Sequence, residues 1–283
     1  DAPGIQIQIA LQEEQVVGVL WAVAEGGLPE DIASAICQGK RRPQGHMLLQ
    51  SLATHAGLCD APRLRLLRIM RIAVPADCRR QGIGLQLLQQ TLALATEQAF
   101  DLLGSAFALD EELLPFWLGA QFRPLRIGLR RDAASGTRSI QMLRAISSSG
   151  EALVHQGATR FQQQLPWRLA AQFNDLPAIT VAALMEGRCC DDVPLSTQDK
   201  QDIQAVAAGQ RTIEDALPVL WRWYCHVLAQ GAQKHLDADQ QLLLLGRLLQ
   251  HHSPQQLQED LSIKGAKVVE GLVRKAIGTV LLR

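Results

Sequence analysis

Residues 66–94, LLRIMRIAVPADCRRQGIGLQLLQQTLAL, restrict what this chain can fold into more than any other stretch. Leu67 to Val74 is a short apolar run rich in β-formers and reads as a strand. Pro75 to Gln81 is a polar, basic turn that runs into Gly82-Ile83-Gly84. Leu85, Leu88, Leu92 and Ala95 then recur at helical spacing. Strand, glycine turn and helix in this order predict an anion site. Backbone N–H groups at a helix start are unpaired, the helix dipole adds partial positive charge, and glycines admit a ligand close to the backbone. The ligand expected there is a pyrophosphate.

Two common pyrophosphate grips are excluded. No Gly-x-x-x-x-Gly-Lys-Ser/Thr string occurs in the chain. The dinucleotide pattern needs a third glycine, and Leu85-Gln86-Leu87 follows Gly84 instead. Arg79-Arg80-Gln81-Gly82-Ile83-Gly84 resembles the Gln/Arg-x-x-Gly-x-Gly/Ala acetyl-CoA signature of the GNAT acyltransferases. The plainer alternative is a glycine-bearing strand-to-helix turn with solvated arginines.

Around this stretch, Ile5, Ile7, Ile9 and Leu11 alternate with Gln6, Gln8 and Ala10, the pattern of a half-buried strand. Val16 to Ala24 reads as a second strand, Pro29 to Gln38 and His46 to His55 as helices. Phe100 to Phe107, Phe122 to Leu129 and Thr137 to Ile146 read as strands, and Asp110 to Gly119 as a short helix. Residues 1–146 are therefore expected to form an α/β domain with helices on both faces of a mixed sheet. Ser147-Ser148-Ser149-Gly150 breaks the composition. Residues 151–283 are expected to form a mostly helical domain, over 151–174, 176–187, 198–208, 212–230, 236–251 and 254–282.

Formal net charge is zero, so no whole-chain basic field points to nucleic acid and any such patch must be local. Six cysteines lack Cys-x-x-Cys spacing, which predicts a reduced, cytoplasmic protein; the vicinal Cys189-Cys190 pair is a poor disulfide. No metal site is predicted. No apolar run approaches eighteen residues and no signal peptide is visible. A chain that starts at Asp1, without Met, and moves at once into strand pattern is expected to be part of something longer.

The flanks of the glycine turn sharpen the resemblance. Glu25-Gly26-Gly27-Leu28, Arg41-Arg42-Pro43-Gln44-Gly45 and Gln50-Ser51-Leu52-Ala53-Thr54-His55 precede it. Phe116-Trp117 and Arg131-Asp132-Ala133-Ala134-Ser135-Gly136 follow. Together, over about residues 20–145, they are similar to the acetyltransferase part of the bacterial tRNA(Met) cytidine acetyltransferase family. Leu261 to Lys267 resembles that family's C-terminal region more weakly.

The resemblance implies a GNAT fold, with a mixed, splayed sheet flanked by helices, and a C-terminal helical tail that binds tRNA. It implies acetyl transfer from acetyl-CoA to the exocyclic amine of the wobble cytidine of elongator tRNA(Met), giving N4-acetylcytidine. ATP hydrolysis would belong to an N-terminal module absent here. It places acetyl-CoA on Ile72, Ala73 and Val74, on Arg79, Arg80, Gln81, Gly82, Ile83, Gly84 and Leu85, and on Glu112. The chain departs from the family's pattern at Pro75, where a histidine is usual, and at Gly119, where a basic residue is usual.

Many GNAT enzymes use a tyrosine acid where Trp117 stands, and the single tyrosine, Tyr224, lies in the helical part. Candidates for acid–base work are then Asp110, Glu111, His46 and His55, each of which also reads as a helix cap or a helix-face residue. Arginine neighbours are expected to lower the Cys78 pKa. RNA candidates are Lys40, Arg41, Arg42, Arg130, Arg131, Lys264 and Lys267. Arg63, Arg65, Arg68, Arg71 and Arg274 add to the basic clusters, and Trp117, Phe116 and Phe122 are the aromatics near the motif. Two other functions fit the same residues: acetylation of a protein or small-molecule amine, and a non-catalytic CoA- or RNA-binding module.

Overall fold

A computed structural model of the chain describes residues 4–133, 136–187 and 194–282. The chain packs as two units, 1–161 and 162–283.

The first unit is built on a six-stranded sheet in the order β1-β2-β3-β4-β6-β5. β1 is Ile5–Gln12, β2 Gln15–Gly26, β3 Arg65–Ala73, β4 Leu102–Ala108, β5 Arg123–Arg131 and β6 Arg138–Ala145. All neighbours are antiparallel except β3 and β4, which are parallel. A parallel pair needs a crossover, and α3 (Ile83–Glu97) supplies it. The helices α1 (Glu30–Cys37) and α2 (Met47–Ala56) join β2 to β3, and α4 (Leu113–Gly119) lies between β4 and β5. The core is apolar: Leu48, Leu49, Leu52, Leu66, Leu102 and Leu143 are each at most 1% exposed.

Four expectations are corrected here. First, β1 is a strand, but Ile5, Ile7, Ile9 and Leu11 face water and the glutamine row is the half-buried one. The glutamine face lies against α3, where Gln6 bonds Gln98. Second, Ser148 and its neighbours form no break: α5 (Ser148–Ala171) starts there, and its first turns join the α/β core through Leu153 and Val154. Gly157 permits that approach, since a Cβ would lie 2.7 Å from Leu125. Third, Cys37 and Cys59 form a disulfide, with Cα atoms 5.2 Å apart, so the cysteines are not all reduced. Cys78 and Cys225 are free, and Cys189 and Cys190 lie outside the described residues.

The fourth correction lies in the second unit. It contains the end of α5 and the helices α6 (Ala178–Met185), α7 (Thr197–Ala207), α8 (Ile213–Ala229), α9 (Ala238–Leu248), α10 (Pro254–Leu261) and α11 (Ala266–Leu281). Their starts were written in the sequence: Ser196, Asp237 and Ser253 each form a capping box. The single helix expected over 254–282 is instead two. Ser262 takes a left-handed φ of 54° and Gly265 a φ of 104°, which interrupt the helical path. Tyr224 is fully buried among these helices, and burial pushes its hydroxyl pKa up. No helix among the described residues is long and apolar enough to cross a membrane.

Candidate functional site

β3 and β4 are hydrogen-bonded only over Leu66–Ile69 and Leu102–Ser105. Beyond that rung the strands part. Met70 to Ala73 continue beside β2, and Ala106 to Ala108 beside β6, with no rung between them. Ser105 marks the fork, its buried hydroxyl donating to the Ile69 carbonyl at 3.2 Å. One residue later comes a β-bulge. Trp21 is opposite Arg71 and Ala22 opposite Ile69, so Met70 is the extra residue. The expected splay is therefore present. It leaves strand-end backbone groups of β3 without a β4 partner, available to a ligand that lies along the strand.

The turn after β3 reaches the same place. Ile72 and Ala73 end the strand and Val74 follows. The Arg79 Nε donates to the Val74 carbonyl at 3.2 Å, and the Gln81 amide to the Asp77 carbonyl at 3.2 Å, which tightens the loop. Arg80 has a left-handed φ of 63° and is exposed. Gly82 is the N-cap of α3, at φ 83°, and no side chain caps the helix. The first intrahelical bond runs from the Gln86 N–H to the Gly82 carbonyl, which leaves the N–H groups of Ile83, Gly84 and Leu85 outside the helical ladder. A Cβ at Gly82 would meet nothing within 4 Å, so the turn is open above the helix start. A Cβ at Gly84 would sit 3.2 Å from the Phe116 ring. Open amides, helix dipole and arginine fit a pyrophosphate, and the adjacent fork fits an extended amide chain.

Several other candidates take structural roles, and the rest are exposed. Asp110 caps α4, accepting from the Glu112 and Leu113 N–H groups at 2.8 and 3.3 Å. Glu111 and Glu112 are exposed beside it. The His46 Nδ1 accepts from the Gly26 N–H at 2.8 Å, so only its Nε2 is open to other work. His55 is exposed at the end of α2. Partial desolvation, then the charges of Arg126 and Arg42, hold its pKa below the ordinary value. Cys78 goes against expectation: partial burial, then the neighbouring Asp77, push its thiol pKa up, away from a reactive thiolate. Trp117 is 2% exposed, stacked on Phe107 and edge-on to Phe116 and Phe122, so it is core. Phe122, at 1%, is core as well.

The basic clusters thin out in the same way. Arg63 pairs with Glu30, Arg65 donates to the Gln98 and Ala99 carbonyls at the end of α3, and Arg68 pairs with buried Glu25 at 3.0 Å. Arg274 donates to the Val206 and Arg211 carbonyls. Lys40, Arg41, Arg42, Arg130, Arg131, Lys264 and Lys267 are exposed. Of the Arg131–Gly136 segment, Ala134 and Ser135 lie outside the described residues. No group of three or more His, Cys, Asp or Glu able to hold a metal occurs among the described residues.

Sequence reasoning missed Glu25, Met70, Ser105 and the exposed pair Trp21 and Arg71. Glu25 had a signal, an acidic residue inside an apolar strand. Its Oε2 accepts from the Leu48 and Leu49 N–H groups at 3.0 and 3.4 Å, and so caps α2. Gly26 follows because a Cβ there would fall 1.9 Å from the Leu64 carbonyl oxygen. The bulge at Met70 had no signal.

No protein-family model matches the chain. The tRNA(Met) cytidine acetyltransferase of Nitrosococcus halophilus is 36% identical over 278 residues, which is 97% of this chain and 37% of that protein. The Vibrio cholerae tRNA(Met) cytidine acetyltransferase is 33% identical over 276 residues, again 97% and 37%. Among solved structures, a Drosophila melanogaster polyamine N-acetyltransferase superposes with a TM-score of 0.37 at 14% identity, over 50% of this chain and 74% of that one. The chain thus spans a little over a third of the length of the curated relatives it matches. By those relatives it belongs to the tRNA(Met) cytidine acetyltransferase family, as a portion of the length its members have.

Proposed function

We propose that this chain carries the acetyl-transfer centre of a tRNA cytidine acetyltransferase. The acceptor would be the exocyclic amine of the wobble cytidine of elongator tRNA(Met), and the product N4-acetylcytidine. The observation that carries the reading is the fork between β3 and β4, with its bulge at Met70, beside the uncapped start of α3. Bound acetyl-CoA would supply the activated acetyl group. Arg79 to Leu85 would hold its pyrophosphate, the backbone of Ile72 to Val74 its pantetheine amides, and Glu112 a further contact.

In the transfer the amine nitrogen bonds the acetyl carbon, the carbon–sulfur bond breaks, and the amine proton passes to solvent while the sulfur leaves as thiolate or thiol. Backbone N–H groups freed by the fork polarise the carbonyl, and the rigid strands hold it in place. The cytidine amine is unprotonated at neutral pH, so the reaction needs no strong base before attack. That agrees with a site in which Asp110 is held as a helix cap and the His46 Nδ1 is taken by the Gly26 N–H. The exposed cations Lys40, Arg41, Arg42, Arg130 and Arg131, and Lys264 and Lys267 in the second unit, would contact RNA phosphates. ATP use would belong to sequence outside this chain, and tRNA as substrate goes with a cytoplasmic site of action.

The test is mass spectrometry of tRNA(Met) incubated with acetyl-CoA and ATP and the longest available form of the protein. A gain of one acetyl group on the wobble cytidine is expected. Transfer to amines or proteins with none to tRNA would overturn the reading, as would acetyl-CoA binding without turnover.

A further inference from the structure

The two faces of the sheet differ where the fork opens. α3 covers one of them: Gly18 lies against Ile83 and Leu87, and Gly84 against Ile72. Directly paired residues share a face. Leu20, paired with Gln8 and Ile72, is therefore on the α3 side, and Trp21, paired with Ile7 and Arg71, is on the other. On that other face α2 starts at the far end of β2, where Glu25 caps it, and runs away from Trp21 towards β6, where Ser51 bonds Gln141. Around Trp21 the face is bare. Trp21 is 40% exposed and Ile7 60%. The Arg71 guanidinium folds back to donate to the carbonyl of the bulged Met70 at 2.8 Å. An indole and a guanidinium thus stand on adjacent strands at the bulge.

A cofactor anchored at the start of α3 reaches the fork from the α3 side. The nucleophile must approach the carbonyl from a side the cofactor leaves open, which is the face of Trp21. A cytosine taken out of its stack needs a new π-surface. Trp117 and Phe122 are buried and cannot provide one. Among residues 4–161 the exposed aromatic side chain is Trp21. We propose that Trp21, with Arg71 beside it, is the platform on which the acceptor pyrimidine stacks as its amine meets the acetyl group. This rests on the RNA-acetyltransferase reading above and gives that site its acceptor side.

Two measurements test it. In the form of the protein that acetylates tRNA, Trp21→Leu should lower kcat/KM for tRNA roughly tenfold or more, and Trp21→Phe should restore most of the loss. Acetyl-CoA affinity by calorimetry should stay within about twofold in both, because the indole faces away from α3. Full activity in Trp21→Leu, or a parallel loss of acetyl-CoA affinity, overturns the platform and leaves the reaction standing. Independently of turnover, a short single-stranded oligoribonucleotide with unpaired cytidines should quench tryptophan fluorescence of the 283-residue chain, and Trp21→Phe should remove most of that quenching. Quenching without acetylation would overturn the reaction and keep the platform. Absence of both would overturn both. A Trp21 signal that follows protein concentration rather than RNA would make the face a protein interface and overturn the proposal.

Discussion

Gly82 and Gly84 are two letters apart and answer to different physics. Gly82 needs its left-handed φ of 83° but has open space where a side chain would go. Gly84 has an ordinary backbone and lacks room, with Phe116 at 3.2 Å. Gly82→Ala should therefore fold with a penalty of about 1–2 kcal/mol and bind acetyl-CoA more weakly. Gly84→Leu should push α3 off Phe116 and abolish binding. Calorimetric titration with acetyl-CoA and thermal melts check both, and unchanged affinity in the pair would remove the site assignment. His55 offers a second residue-scale test. Its pKa lies below the ordinary value, so the folded state favours the neutral ring. The stability it contributes is present above the ordinary histidine pKa and is lost as pH falls through the lowered one. Arg126→Gln removes one of the causes and should raise the midpoint, read from the His55 ring protons by NMR.

Among the elements, β3 controls the site through what it stops pairing with. Its Leu66–Ile69 half is locked between β2 and β4, and its Met70–Ala73 half pairs on one side only. Hydrogen exchange should find fork-facing amides of residues 70–74 exchanging freely in the apo protein and protected about tenfold or more once acetyl-CoA is added. Protection confined to the α3 start would mean the fork holds no ligand. Glu25 ties the other end of the sheet to α2 and neutralises Arg68, with the carboxylate 1% and the guanidinium 15% exposed. Glu25→Ala leaves a buried cation unpaired and should cost about 3–5 kcal/mol, measured by denaturant melts. Most elements were legible because each carries a local signal, such as a capping box, a glycine stop or an alternating run. The fork (expected only through the family resemblance), the bulge and the break at Ser262–Gly265 carry no such local signal. The first two are set by which strands lie side by side, and the third by one serine in a left-handed conformation.

Across the whole molecule, the anion turn was readable because strand, glycine turn and helix follow one another in sequence. The acceptor face was not, because Trp21 and Arg71 are 50 positions apart and meet only through the register of β2 and β3. Burial explains most other misses, since side chains that look available in sequence, such as Trp117 and Arg68, are held by the core. The Cys37–Cys59 link also depends on packing: it joins the end of α1 to the loop after α2 across 22 residues. Reduction should lower stability by about 3 kcal/mol, and alkylation of the unreduced, folded protein should spare these two cysteines. The edge strand has a further consequence. Ile5–Gln12 holds no charge and no proline, presents an apolar row to water, and has no strand on its outer side among the described residues. Such a strand is a nucleus for cross-β assembly. Shelf life at high concentration should then be set by this strand rather than by global unfolding. Ile9→Lys should slow thioflavin-positive aggregation several-fold while shifting folding stability by no more than about 0.5 kcal/mol.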